Sequence, residues 1–181
     1  AKSGAGFYVT RSTSATTGSL EANNLTFENN IANVGTGGAI FVSGSNIAVN
    51  INDSKFINNS AVASASNVGG YGAAIYLGSG TGAITVTQSV FVDNTANNPN
   101  NNDAGIYMGA GSLDISDSII LAEEGDDHYA VNNAGATVTA ENNWWGNNDT
   151  ANTNAAVTKI VKMDAAYTPE GAKAGDEITI T

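Results

Sequence analysis

Cysteine is absent from this chain, proline occurs twice, histidine once, and lysine and arginine together supply only 6 of 181 residues. Without cysteine there is neither a disulfide nor a thiolate metal site, although the lack of thiols does not by itself fix a compartment. The few basic residues face 17 acidic ones, a formal net charge of -11, so a phosphate backbone would be repelled and nucleic acid is excluded as a partner. No apolar run approaches the roughly 18 residues that cross a bilayer, so no direct membrane span is expected. The chain opens at Ala1 without a charged-then-apolar leader and is read as an excised or processed piece of a longer protein. Charged residues make up only 13%, and Asn, Gly, Thr, Ser and Ala fill most of the remainder. Such residues disfavour a helical bundle and suit many short strands joined by turns, while 41% hydrophobic residues can still form a core.

Two short phrases alternate along the chain. GAGFYV (4–9), GGAIFV (37–42), GAAIYL (72–77) and DAGIYM (103–108) form one set; SLEANNLTFENN (19–30), VNINDSKFINN (49–59), ITVTQSVFVDN (84–94), LDISDSIILAE (113–123) and VTAENNWWGNN (138–148) form the other. Aligned on the large apolar residue, the second set gives a column Phe27, Phe56, Phe91, Ile120, Trp145, at spacings of 29, 35, 29 and 25 residues. Seven residues earlier stand Leu20, Val49, Ile84, Leu113 and Val138, and five earlier Ala22, Ile51, Val86, Ile115 and Ala140. The offset of two between these columns marks one face of a strand.

Repeated short strands with like residues at like positions can bury their apolar columns by coiling so that equivalent strands stack in parallel. The expected fold is therefore all-β, a parallel β-helix of about five turns, roughly 24 Å tall at ~4.8 Å per turn. The usual handedness of parallel crossovers makes it right-handed. Three residues after the Phe column come Asn30, Asn59, Asn94, Glu123 and Asn148, so four turns place an asparagine at one corner, where stacked amides would satisfy buried backbone groups. Register sends Trp145 into the core and Trp144 outward, as a lid over the final turn or a ligand-stacking ring.

GGAI at 37–40, with FENN, FINN and FVDN beginning at Phe27, Phe56 and Phe91, resembles the paired GGAI and FxxN signatures of the chlamydial polymorphic outer-membrane protein repeats. NNWWGNN after such repeats, followed by VTKIVKM and AGDEITIT, resembles adhesin-like surface proteins of methanogenic archaea, in which a bacterial-immunoglobulin-like domain commonly follows. The similarity covers nearly the whole chain. It implies a pectate-lyase-like right-handed β-helix, extracellular and on a cell surface, with neighbouring domains in a longer protein. Residues 1–157 then form the β-helix repeats, and 158–181 an exit or cap segment or the start of an immunoglobulin-like domain. The fourth turn departs from the pattern, with DAGI for GGAI and IILAE for FxxN, and local irregularity is expected there.

Within the first phrase, Phe7, Ile40, Ile75 and Ile106 form a column, and the next position gives Tyr8, Phe41, Tyr76 and Tyr107. With the first column inside, these four aromatics stack on the outer surface. They are either a platform for sugar rings or another protein, or simply brace one another. Together with Trp144 they are the candidate ligand-binding residues. Length varies in SATTGS (14–19), within the first turn, and at the corner after FxxN; that corner, with the loops AVASASNVGG (61–70), TANNPNNN (95–102) and EEGDD (123–127), is the second candidate, with Tyr71, Asn98 and Asn101 the residues to test. Glu123, Glu124, Asp126 and Asp127 could offer oxygen ligands to calcium, though in no EF-hand or nonapeptide order. Lone His128 reads as a solvated loop residue, and no other cofactor is implied. Sequons begin at Asn24, Asn52, Asn58 and Asn148; any within the ladder or a core-facing strand should accept a glycan poorly after folding.

Carbohydrate-cleaving enzymes also use β-helices, setting carboxylates on neighbouring turns. Neither Glu21, Asn50, Thr85, Asp114, Thr139 nor Asn24, Asp53, Gln88, Asp117, Asn142 has acids on adjacent turns, and Arg11 has no acidic neighbour in sequence. The expectation is a non-enzymatic adhesin-like domain binding a cell-surface protein or glycan, with a structural stalk or envelope module as the alternative.

Overall fold

The computed structural model describes residues 2–11, 17–64, 68–80, 82–98, 104–121, 129–163, 167–168 and 179–180. Its first circuit carries β1 (Phe7–Thr10), β2 (Gly18–Asn23), β3 (Thr26–Glu28) and β4 (Ile31–Asn33). The second carries β5 (Ile40–Ser43), β6 (Ile47–Asn52), β7 (Lys55–Ile57) and β8 (Ser60–Val62). The third carries β9 (Ile75–Leu77), β10 (Ala83–Thr87), β11 (Val90–Val92) and β12 (Thr95–Ala96). β13 (Ala104–Met108), β14 (Ser112–Ser116) and β15 (Ile119–Ile120) follow, then β16 (Tyr129–Asn133) and β17 (Thr137–Thr139).

Each strand pairs in parallel with its equivalent one circuit on. The sheets run β1-β5-β9-β13-β16, β2-β6-β10-β14-β17, β3-β7-β11-β15 and β4-β8-β12. The molecule is an all-β parallel solenoid whose two larger sheets are five strands tall, a stack of five layers reached by four complete circuits. Short β18 (Tyr167–Thr168) and β19 (Thr179–Ile180) pair antiparallel with each other.

The register follows the apolar columns. Leu20, Val49, Ile84, Leu113 and Val138 are consecutive partners across the second sheet, with Ala22, Ile51, Val86 and Ile115 beside them. Phe27, Phe56, Phe91 and Ile120 are partners in the third sheet. The phenylalanine rings stack at 4.7 and 4.6 Å, the spacing of the strands that carry them, so each ring's faces are filled by its neighbours. Trp145 completes the column at 4% exposure, its indole Nε1 buried and unpartnered among the described residues.

Corners explain the polar residues. Asn24, Asp53, Gln88, Asp117 and Asn142 all hold φ between 48 and 58°, and Asn29, Asn58 and Asp93 between 50 and 55°. Asn and Asp adopt this left-handed bend at low cost, which lets a strand of three residues be bounded by two turns. After Asp53, Gln88, Asp117, Asn142, Asn58 and Asp93 the next residue is buried and its side chain serves the backbone, whereas Leu25, after Asn24, packs against the apolar core. Asn59 Oδ1 accepts from Asn30 N and Asn30 Nδ2, at 3.1 and 2.9 Å. Asn94 Oδ1 accepts from Asn59 N and Nδ2, at 3.2 and 2.8 Å. The carboxamides of Asn59 and Asn94 also donate to Phe27 O and Phe56 O. Asn148 is a correction: it is not stacked on this ladder but half-buried, exchanging two hydrogen bonds with the backbone of Met163. Glu123 lies outside the described residues.

The other corner holds a ladder the sequence reading missed. Ser54, Ser89, Ser118 and Asn143 are buried, and each side-chain oxygen accepts the backbone N–H one layer away: Leu25, Ser54, Ser89 and Ser118, at 3.1, 3.1, 3.0 and 3.0 Å. Asp-Ser, Gln-Ser and Asp-Ser recurring just before the Phe column were its signal.

Beyond β17 the stacking continues through short bridges, Val131 to Thr153 and Asn143 to Ile160. The carboxylate of Glu141 accepts from Thr158 N, Thr158 Oγ1 and Lys159 N. Ala151, Val157 and Ile160 pack on the core there. This segment covers the last layer; Trp144 faces outward, half-buried, bridged to Ile119.

Candidate functional site

β1, β5, β9 and β13 present the aromatic column because period-2 alternation buries Ile40, Ile75 and Ile106 and turns their neighbours out. Tyr8, Phe41, Tyr76 and Tyr107 are register partners over four consecutive layers. Their rings stack at 4.7, 5.3 and 5.5 Å with interplanar angles of 6, 16 and 11°. The structure thus brings together four of the five expected ligand-binding residues, while Trp144 belongs to a different sheet, beyond the end of β15.

Such stacking limits what the column offers. Phe41 and Tyr76 have a ring against each face, so edges and hydroxyls, not faces, meet a partner. Tyr8 has Phe41 on one face and is 58% exposed. At the opposite end the fifth layer substitutes Asn132, which is buried and accepts from Asn154 Nδ2.

Tyr71, expected only as a corner-loop residue, joins the column. Its ring lies 5.0 Å from Tyr107 and 6.3 Å from Tyr76. Burial, then the neighbouring tyrosines, pushes the Tyr76 hydroxyl above its ordinary pKa, and burial followed by Tyr71 does the same for Tyr107. Both hydroxyls therefore stay protonated, able to donate as well as accept. Gly78 and Gly109 make room for these side chains, since a Cβ at Gly78 would strike the Tyr76 hydroxyl and one at Gly109 would lie 3.1 Å from the Tyr107 ring. The glycine two residues after each tyrosine was the available sequence signal.

Among the corner loops, Asn98 is buried and donates to Gly69 O at 2.6 Å, and Asn97 Oδ1 accepts from Ala63 N at 2.7 Å. These side chains tie neighbouring loops together. Asn101, the calcium candidates Glu123, Glu124, Asp126 and Asp127, and His128 lie outside the described residues. Among the described residues no group of three or more His, Asp or Glu is arranged to hold a metal. A cavity of about 370 Å³ opens near the last layer, lined by Asp149, Thr150, Thr153, Val157 and Lys162, and contains none of the expected site residues. In comparisons with known proteins the chain matches no family model, no curated protein and no solved structure.

Proposed function

We propose that the chain is an extracellular, adhesin-like module of a cell surface that binds a cell-surface protein or glycan through its outer aromatic column. The observation that carries this reading is the column itself, outward on four consecutive layers. The fold does not demand it: the equivalent outward column of the second sheet is Glu21, Asn50, Thr85, Asp114 and Thr139. A rigid row of ring edges and hydroxyls is a low-entropy contact surface, and a sugar would find its free ring face at Tyr8. The module is read as non-enzymatic, since within that polar column Glu21 and Asp114 are separated by two layers.

The test is saturable binding of labelled protein to whole cells and to a glycan array. Tyr8→Ala should weaken binding about tenfold or more with an unchanged melting temperature. Unchanged binding by a folded Tyr8→Ala/Tyr107→Ala protein refutes the assignment. A stalk or envelope module is the second reading, favoured by the mutual stacking that already occupies most ring faces. It predicts no saturable binding to any cell or glycan.

A further inference from the structure

Four Asn-X-Ser/Thr sequons begin at Asn24, Asn52, Asn58 and Asn148, and the folded chain treats them differently. N-linked transfer needs a free carboxamide nitrogen and an accessible hydroxyl two residues on. Asn52 Oδ1 accepts from Thr87 Oγ1 at 2.8 Å, and its sequon hydroxyl, on Ser54, is 1% exposed and committed to the carbonyls of Ala22 and Asn52. Asn58 Nδ2 donates to Asn29 Oδ1 at 2.6 Å. Asn148 Nδ2 donates to Met163 O, and its Oδ1 accepts from Met163 N, both at 2.8 Å. At Asn58 and Asn148 the acceptor nitrogen is already used by the fold, and at Asn52 the sequon hydroxyl is.

Asn24 is the exception. It stands at the corner between β2 and β3 with φ 53°, its backbone held by donation to Asn52 O at 3.0 Å. Its side chain is exposed and has no partner among the described residues, and Thr26, the sequon hydroxyl, is exposed as well. The left-handed bend lifts the carboxamide off the sheet while the residues on either side stay anchored. From this geometry we infer that Asn24 is the glycan attachment site of the folded protein, accepting a sugar from a glycosyl diphosphate donor. In that transfer, Asn24 Nδ2 forms a bond to the anomeric carbon and the bond from that carbon to the diphosphate oxygen breaks. The diphosphate leaves with the electron pair, and the amide proton passes to a base of the transferase. The site is independent of the aromatic column and of what that column binds.

The test is incubation of native and urea-unfolded protein with UDP-glucose and a soluble asparagine glucosyltransferase, chosen because it glucosylates the unfolded chain at all four sequons. Glycopeptide mass spectrometry then reads occupancy. Native protein should be modified at Asn24 at least tenfold faster than at Asn52, Asn58 or Asn148, and unfolding should remove the difference. Asn24→Gln should abolish the native product, as should Thr26→Ala, which keeps the asparagine. Native protein left unmodified at Asn24, or modified equally fast at Asn58 or Asn148, overturns the assignment.

Discussion

Replacing Asn59 by alanine removes the middle rung of the asparagine ladder. Asn59 is 0% exposed, and its carboxamide makes four hydrogen bonds: it accepts from Asn30 N and Asn30 Nδ2, and donates to Phe27 O and Asn94 Oδ1. Two partners retain other solutions, because Asn94 Oδ1 still accepts from Asn59 N and the half-buried Asn30 Nδ2 can reach water. Phe27 O loses a buried donor and Asn30 N loses its acceptor. Phe27 O keeps its place in the β3–β7 pairing, where Phe56 and Ile57 stand opposite Phe27 and Glu28. At roughly 1–3 kcal/mol for the unsatisfied Asn30 N–H and about 1 kcal/mol for the bond lost at Phe27 O, with a small cavity added, the loss should be about 3 kcal/mol. In a chain of this length that lowers the melting temperature by about 6–12 °C. Calorimetry and urea denaturation measure both quantities. Asn30→Ala is the control: Asn59 Oδ1 keeps its bond from Asn30 N, so the cost should stay below about 1 kcal/mol. An Asn59→Ala protein within about 0.5 kcal/mol of the parent, or an equal loss for Asn30→Ala, would refute the ladder as a source of stability.

Phe56→Ala should cost about 3–5 kcal/mol by urea denaturation, because the ring is fully buried and stacked on both faces; a loss under about 1 kcal/mol would contradict that packing. Val34 is β-branched, 51% exposed and held at φ 62°, so Val34→Asn should stabilise the fold by about 1 kcal/mol; a lower melting temperature would count against strain there. Hydrogen bonds from Thr158 hold the Glu141 carboxyl below its ordinary pKa, with Lys159 adding to them. A depressed folded pKa contributes stability above the unfolded value that is lost as pH falls through the folded one, so the protection of the Thr158 and Lys159 amides, exchange measured relative to the intrinsic rate at each pH, should fall as pH drops below the ordinary glutamate range. Glu141→Gln should remove that pH dependence of protection, and protection equally pH-dependent in the variant would exclude the carboxylate as its cause.

Strand position, facing and register were legible in the sequence because parallel stacking places like residues on like and alternation separates inside from outside. The columns through Phe56, Val49 and Ile40 are written as spacings, and so is the outward position of Tyr8, Phe41, Tyr76 and Tyr107. Two kinds of information were not local. Asp-Ser and Gln-Ser are ordinary polar dipeptides until the bend at Asp53 or Gln88 turns the serine inward, where its oxygen meets an N–H from a residue about 30 positions away in sequence. Asn148 shares its repeat position with Asn59, yet the final layer has the segment through Met163 beside it, and that segment takes its amide. The same holds for the candidate site: the order of residues places four rings in a column, but only the stack decides that their faces are spent on one another and that Tyr71 closes over Tyr107. Repetition determines which residues are equivalent; the neighbour that each equivalent residue meets is set by its layer.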